Sequence, residues 1–402
     1  MMKNKGFFTL RYTLINIFYF MCFCTIHAFA AVFLLDKGFS NTQIGVLLAI
    51  ANIISAISQP LIAGLIDRPG IFTNRNVIMG CSLIILLGSL LLMFLSSARI
   101  VIFIVFALIY MIQFAYQPVL TALVFEYQKK GCSIFYGLAR GLGSAGFAVT
   151  SAFMGGLVEA NGVNLLLYMN MLTMGLLIVM VFFFRVPGEK CVPEESLSTG
   201  SDGDSHDDKP HNNLIDFVRF YPAFPVLLLA VILLFFGHNM LNDYLIQIIR
   251  NVGGDETELG YATFLAAVLE LPAMATISLI VKKVSPNRLL ALSGIFFTVK
   301  MLVMLLAVNM AMVYISQAFQ LLAYAVFIPA SAYYVNENMT EHDQVKGQAF
   351  ITSCFTLSGV FSSLVCGVVL DCLSVRAMLI IGLAVSVLGT LVMLKAVLFR
   401  KN

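Results

Sequence analysis

Long apolar stretches separated by short polar loops set the pattern of this chain. With about 20 apolar residues as the length that crosses a bilayer, such stretches fall near 11–35, 42–66, 76–97, 100–126, 134–158 and 163–186. The pattern then changes. Residues 187–213, PGEKCVPEESLSTGSDGDSHDDKPHNN, are acidic and rich in Ser, Gly and Pro without apolar periodicity, which predicts a solvated linker. Six more stretches follow near 222–249, 256–281, 287–308, 311–335, 346–370 and 375–397, and residues 213–221, NLIDFVRFY, read as a short interfacial helix ahead of the first of them. The expectation is an all-α membrane protein of twelve transmembrane helices in two pseudo-symmetric six-helix halves, residues 1–186 and 214–402, joined by the linker 187–213.

Composition agrees: 60% of residues are hydrophobic and 11% charged, whereas soluble domains carry roughly 25% charged residues. The basic, then apolar, start followed by Ala28–Ala30 resembles a secretory signal, but the apolar run continues to Leu35, so it reads as a first span. A net charge of +3 spread along the chain, with no basic stripe, argues against nucleic acid as a partner. The eight cysteines lie mostly within apolar runs, have no paired CxxC spacing and read as packing residues. No phosphate loop, metal cluster or nucleophile–base motif stands out, and a 27-residue linker is too short for a nucleotide-binding domain. Neither an enzyme nor an ATP-driven pump is expected, and no cofactor or metal.

Alternating the loops leaves only Lys37, Arg99, Arg250 and Arg376 on one side and Arg140 and Lys300 within spans; the other eighteen of 24 basic residues share the opposite side. The positive-inside rule therefore puts both termini and the linker in the cytoplasm, for a protein of the cytoplasmic (inner) membrane.

The halves echo each other. Residues 38–68, GFSNTQIGVLLAIANIISAISQPLIAGLIDR, match residues 253–283, GGDETELGYATFLAAVLELPAMATISLIVKK, with Gly45 over Gly260 and Arg68 over Lys283. Pro118 and Glu126 recur as Pro329 and Glu337. Internal duplication with six spans per half is the build of transporters whose solute sits between the repeats near mid-membrane.

Residues 64–75, GLIDRPGIFTNR, together with DKGFSNTQIG, QPLIAGLID, YGLARGLGSAGFAV and LELPAMA, make the chain similar to the major facilitator superfamily, in the branch of lactose permease and phenylpropionate-type permeases. The resemblance covers nearly the whole chain. It implies alternating access and a monomer, and it places Arg140 at a substrate-binding arginine and Lys300 at a basic residue of helix nine. The chain departs from lactose permease at Ala122, where that branch carries a sugar-binding glutamate. It departs again at Gln317, Gln320 and Ala323, where the permease has a lysine, a histidine and a glutamate, so neither lactose nor that permease's proton route carries over.

Charges within spans are costly, by at least about 2.5 kcal/mol on insertion scales, and mark cavities or partners. Arg140 stands among Gly137, Gly141, Gly143 and Gly146. It is either a structural ion pair or a fork for a carboxylate or hydroxyls; the glycines would allow close backbone approach. Glu270 and Lys300 descend from one loop to matching depth, which predicts a neutralising pair or a carboxyl that takes up a proton and releases the lysine. His238 and Asp243, with Asn239 and Asn242, form either an outer gate or a protonation site. His27 reads as a packing histidine, with a proton carrier or substrate contact as the alternative.

Gln113, Tyr116 and Gln117 in span four and Gln317, Gln320 and Tyr324 in span ten, with Asn242, suit a hydroxylated solute, or serve as interhelical glue. Pro118 and Pro329 are expected to kink their helices. Asp67, Arg68, Glu126 and Glu337, at cytoplasmic ends, read as gate contacts. The resulting expectation is a secondary transporter for proton-coupled uptake of a small polar organic solute such as a sugar, glycoside, nucleoside or aromatic acid. Its alternatives are efflux of amphipathic compounds and a non-transporting sensor or scaffold. Its partners would be the solute, protons and membrane lipid.

Overall fold

The computed structural model describes residues 5–66, 73–94, 98–132, 134–184, 217, 219–281 and 283–398. The linker, Asp67, Arg68, Cys191 and most of the expected interfacial helix lie outside these. Among the described residues there is no strand. The first span is α1 (Lys5–Phe23), a π turn (Cys24–Ala28) and α2 (Ala30–Asp36); α3 (Asn41–Ile66) and α4 (Asn74–Phe94) are the second and third. The fourth is α5 (Arg99–Ala115) with α6 (Gln117–Lys129), the fifth α7 (Tyr136–Asn161) and the sixth α8 (Asn164–Phe183). The seventh is α9 (Phe224–Asp243) with α10 (Leu245–Asn251), followed by α11 (Glu256–Ile280) and α12 (Pro286–Leu305). The tenth is α13 (Met310–Ala318), a 3-10 turn (Phe319–Leu321) and α14 (Tyr324–Asn338); α15 (Glu341–Cys372) and α16 (Val375–Leu398) complete the set.

Eleven of these spans are long and apolar enough to cross a membrane. The twelfth, α11, has the length at 25 residues but carries Glu256, Glu258 and Glu270. Packing divides the chain into two compact units, Met1–Phe39 with Ile50–Asp202 and Ser40–Ala49 with Gly203–Asn402.

The repeated loop chemistry has a common physical cause in both places. α2 ends in a Schellman motif, Phe39 N–H donating to Leu34 O (3.1 Å), with Gly38 at φ 78°. At the corresponding place α10 ends with Gly254 N–H donating to Ile249 O (3.0 Å) and Gly253 at φ 87°. Positive φ is open to glycine without steric cost, so the same stop recurs. A capping box then starts the next helix in each case. Ser40 N–H donates to Gln43 Oε1 (3.0 Å) and Gln43 N–H to Ser40 Oγ (3.3 Å) ahead of α3; Asp255 N–H donates to Glu258 Oε2 (3.1 Å) and Glu258 N–H to Asp255 Oδ1 (3.3 Å) ahead of α11.

In the first unit α1 packs against α7 and α8, burying Tyr12, Ile15 and Tyr19 completely, so this segment behaves as a span of the bundle. The close approach of α7 depends on two of the four glycines. A Cβ on Gly143 would lie 2.8 Å from Phe20 Cδ2, and one on Gly146 3.2 Å from Ile17 Cγ2, whereas Gly137 and Gly141 face open space. In the second unit the core is aromatic: Phe235 stacks on Phe355 at 4.1 Å and meets Phe327 edge-on at 5.1 Å.

Spans one, four, seven and ten are interrupted. In span four, Pro118 lacks an N–H, so the Phe114 carbonyl that it would have bonded accepts instead from Gln59 Nε2 (3.4 Å), while Tyr19 OH donates to Gln113 O (2.7 Å). Span ten differs from expectation. Pro329 lies inside α14, and the interruption precedes it at residues 319–323, where Ser293 Oγ donates to the Ala323 carbonyl (2.7 Å).

Candidate functional site

Polar side chains stand at the interruptions within each unit. Discontinuous spans leave backbone groups free for hydrogen bonding and line sites in transporters. His27 sits in the π turn of span one; Gln113, Tyr116 and Gln117 flank the break in span four; Asn242 and Asp243 precede that in span seven; Gln317, Gln320 and Tyr324 surround that in span ten.

In the first unit, Arg140 is half-buried. Its Nη1 donates to Ser144 Oγ one turn on (2.8 Å), and its Cζ stands 4.1 Å over the Phe20 ring, a cation–π contact of about 0.5–2 kcal/mol. Among the described residues no carboxylate forms an ion pair with Arg140. The structural ion pair is therefore absent from this part of the molecule, and the guanidinium keeps donors for another partner.

His27 is enclosed by rings: Phe23 stacks on it at 3.9 Å, Tyr110 lies at 3.9 Å and Phe114 meets it edge-on at 4.4 Å. Both ring nitrogens are buried, with Gln113 the polar side chain beside the ring, the surroundings of a packing histidine. Half-exposed Phe23, Phe114 and Phe147 continue this aromatic surface.

Gln113 and Tyr116 are fully buried. Gln113 Nε2 points to Cys22 Sγ (2.8 Å), which also receives Asn170 Nδ2 (2.9 Å), and Ser89 Oγ donates to Asn170 Oδ1 (2.9 Å). Tyr116 OH faces Met174 Sδ at 3.9 Å. Gln113 thus belongs to a polar interior network, in which Cys22 is an acceptor rather than an apolar filler. Gln117 remains half-exposed. At the end of span four Glu126 accepts from Asn74 Nδ2 at the start of α4 (2.8 Å) and pairs with Lys130 (2.9 Å), tying the ends of two helices together. Glu337 is exposed.

In the second unit, Lys300 is only 1% exposed. Its Nζ donates to Gln320 Oε1 (2.6 Å), and Gln320 Nε2 donates to Glu270 Oε1 (2.8 Å). The expected pair is thus joined through an amide, and Gln320, expected to touch solute, occupies the bridge. Gln317 is buried, with Oε1 lacking a partner among the described residues.

His238 stacks on Tyr324 (4.8 Å, 12°) and its Nε2 lies 3.0 Å from Asn242 Nδ2. Asn239 Nδ2 donates to Phe355 O (3.2 Å), and Asp243 Oδ2 accepts from Ser363 Oγ (2.7 Å). Asn242 is exposed and Tyr324 half-exposed.

Sequence reasoning missed Phe20, Cys22 and Asn170, and also Asp371. Asp371 caps α3: Oδ1 accepts from Asn41 N–H (3.1 Å) and Asn41 Nδ2 (2.9 Å), and Oδ2 from Thr42 N–H (2.7 Å). A carboxylate on the first free N–H groups of a helix completes what the capping box begins. The Asp371 position, the last acid before the end of an apolar run, was the available signal.

A bundle of long apolar helices, interrupted in four spans with charged and amide side chains at the interruptions, defines an integral membrane transporter. The chain belongs to the MFS_1 like family, whose model matches residues 10–381, and hence to the major facilitator superfamily. Among solved structures it is similar to the nucleoside transporter NupG, with a TM-score of 0.79 at 11% identity over 98% of this chain and 100% of that one. The D323A mutant of NupG matches with the same TM-score over 97% and 99%. A bacterial homolog of the human lysosomal transporter Spinster, inward-facing and unoccupied, matches with a TM-score of 0.65 at 12% identity over 98% and 96%. At these identities the likeness concerns the fold. No curated protein matches by sequence.

Proposed function

We propose that the protein is a secondary active transporter that takes up a small polar organic solute together with protons by alternating access between two six-helix halves. It works as a monomer in the lipid of the cytoplasmic membrane, with both termini and the linker in the cytoplasm. The observation that carries this reading is Arg140. A guanidinium within a span, with no ion-pair partner among the described residues, is tolerated where water or a polar ligand reaches it. Its fork matches a carboxylate or a pair of hydroxyls. In the second unit the proposed solute contacts are Asn242 and Tyr324, and Glu270 and Lys300 are the charge network that takes up the proton. Sugars, nucleosides and aromatic acids share these features. The likeness to a nucleoside transporter makes uridine the first probe.

The test is a thermal-shift screen of the purified protein against uridine, a galactoside and phenylpropionate, repeated with Arg140→Ala. A compound that raises the midpoint in the wild type and loses that effect in the variant supports the reading; hits indifferent to Arg140 oppose it. Counterflow of the labelled hit in proteoliposomes then separates a carrier, which exchanges solute without a gradient, from a sensor, which only binds. The half-exposed Phe23, Phe114 and Phe147 favour one other reading, export of amphipathic aromatic compounds; accumulation in inside-out rather than right-side-out vesicles would select it.

A further inference from the structure

The interruption of span ten carries one inference that rests on the transport reading and goes further. Gln320 lies in the 3-10 turn Phe319–Leu321, a form whose appearance inside a helix often marks a hinge. Its amide is held at both ends by charge. The ammonium of Lys300, donor only, takes Oε1, and Glu270, as a carboxylate acceptor only, takes Nε2. No other amide orientation satisfies both. The turn is further pinned by Ser293 on the Ala323 carbonyl and by Ser316 Oγ on the Lys300 carbonyl (2.8 Å). Four residues after Gln320 comes Tyr324, the ring stacked on His238.

We propose that Gln320 is a positioning residue that couples the charge of Glu270 to the setting of the hinge at residues 319–323, and through it to the Tyr324–His238 stack. A proton arriving on the Glu270 carboxylate removes the negative end of the bridge. Lys300 still takes Oε1, but a neutral carboxyl accepts from Nε2 more weakly than a carboxylate does, so the bridge loosens at its Glu270 end. The hinge relaxes, and Tyr324 moves with it. Lys300 is the cation joined to Glu270 through the amide. The titratable groups on the other elements packed against α11 are Arg250, Tyr314, Tyr324, Tyr333, Tyr334 and Glu337.

The chain contains no tryptophan. Phe319→Trp, which keeps an aromatic ring against Phe296, therefore places a single reporter on the hinge. Its emission in lipid nanodiscs is titrated across the neutral range, alone and with Glu270→Gln, Gln320→Leu or Gln320→Glu added. The expected result is a pH-dependent emission change that Glu270→Gln and Gln320→Leu abolish and whose midpoint Gln320→Glu moves. A side chain that only filled space would leave amplitude and midpoint where they were. A flat titration in the parent, or a change that survives Glu270→Gln, overturns the proposal. If Gln320→Leu does not fold, Gln320→Glu alone decides: an unmoved midpoint overturns it. Tyr324→Trp repeats the measurement at the far end of the hinge, and a response there lost with Glu270→Gln supports the coupling.

Counterflow of uridine, a galactoside and phenylpropionate is scored separately on the wild type. Failure of exchange with an intact titration counts against transport and leaves the hinge standing. Proton-driven exchange with an indifferent reporter removes the hinge alone.

Discussion

The guanidinium of Arg140 stands 4.1 Å over the ring of Phe20, and the glycine three positions along its helix keeps it there. A Cβ on Gly143 would fall 2.8 Å from Phe20 Cδ2, while one on Gly141 would meet nothing within 4 Å. Gly143→Ala should therefore push α1 from α7 and destabilise by about 1–3 kcal/mol, the range for overpacking. Gly141→Ala should be neutral or slightly stabilising, since alanine is the better helix former. Thermal unfolding of the two purified variants checks this, and equal effects would contradict the packing described.

Lys300 and Glu270 differ in what their loss leaves behind. Glu270→Gln strands a lysine that is 1% exposed, and an unpaired buried charge costs about 3 kcal/mol or more. Lys300→Met leaves a carboxylate that is only half-buried and that water can partly solvate, so about 1 kcal/mol is expected. The double variant should be more stable than Glu270→Gln alone. A double-mutant cycle by thermal unfolding reads all three, and additive losses would mean that the amide bridge transmits no interaction.

Asp371 supplies acceptors to Asn41 and Thr42 at the start of α3. Capping contacts are worth about 1 kcal/mol, so Asp371→Ala should speed amide hydrogen exchange at residues 41–43 on the order of fivefold. Asp371→Asn, which retains an acceptor, should fall between. The capping box of Ser40 and Gln43 remains in both variants, so residues 255–258, capped by their own box, serve as the unchanged internal reference.

Much of the fold is legible in the sequence because the bilayer imposes a length on each apolar run, and the repeat at Gly38 and Gly253 is legible because positive φ selects glycine. The breaks in spans one and seven are not. No proline or glycine marks the π turn at Cys24–Ala28 or the interruption at Tyr244, and these follow from contacts made by distant helices. Span ten shows the same limit: Pro329 marks the right helix, but the interruption lies several residues earlier, where Ser293 reaches the chain from α12. For the site, residue type showed which side chains matter and not what they touch. Gln320 and Gln113 look alike as polar residues in apolar helices, yet one bridges two charges and the other is buried against Cys22. That difference depends on register between helices far apart in sequence.

In the proposed mechanism Arg140 borders a water-accessible chamber. With the native cysteines replaced, Arg140→Cys can be probed with a membrane-impermeant thiosulfonate in right-side-out and inside-out vesicles, with and without a compound found in the thermal-shift screen. Labelling from an aqueous side, slowed by that compound, is the predicted result. A cysteine at position 140 that reacts from neither side would place it in dry packing and contradict the mechanism.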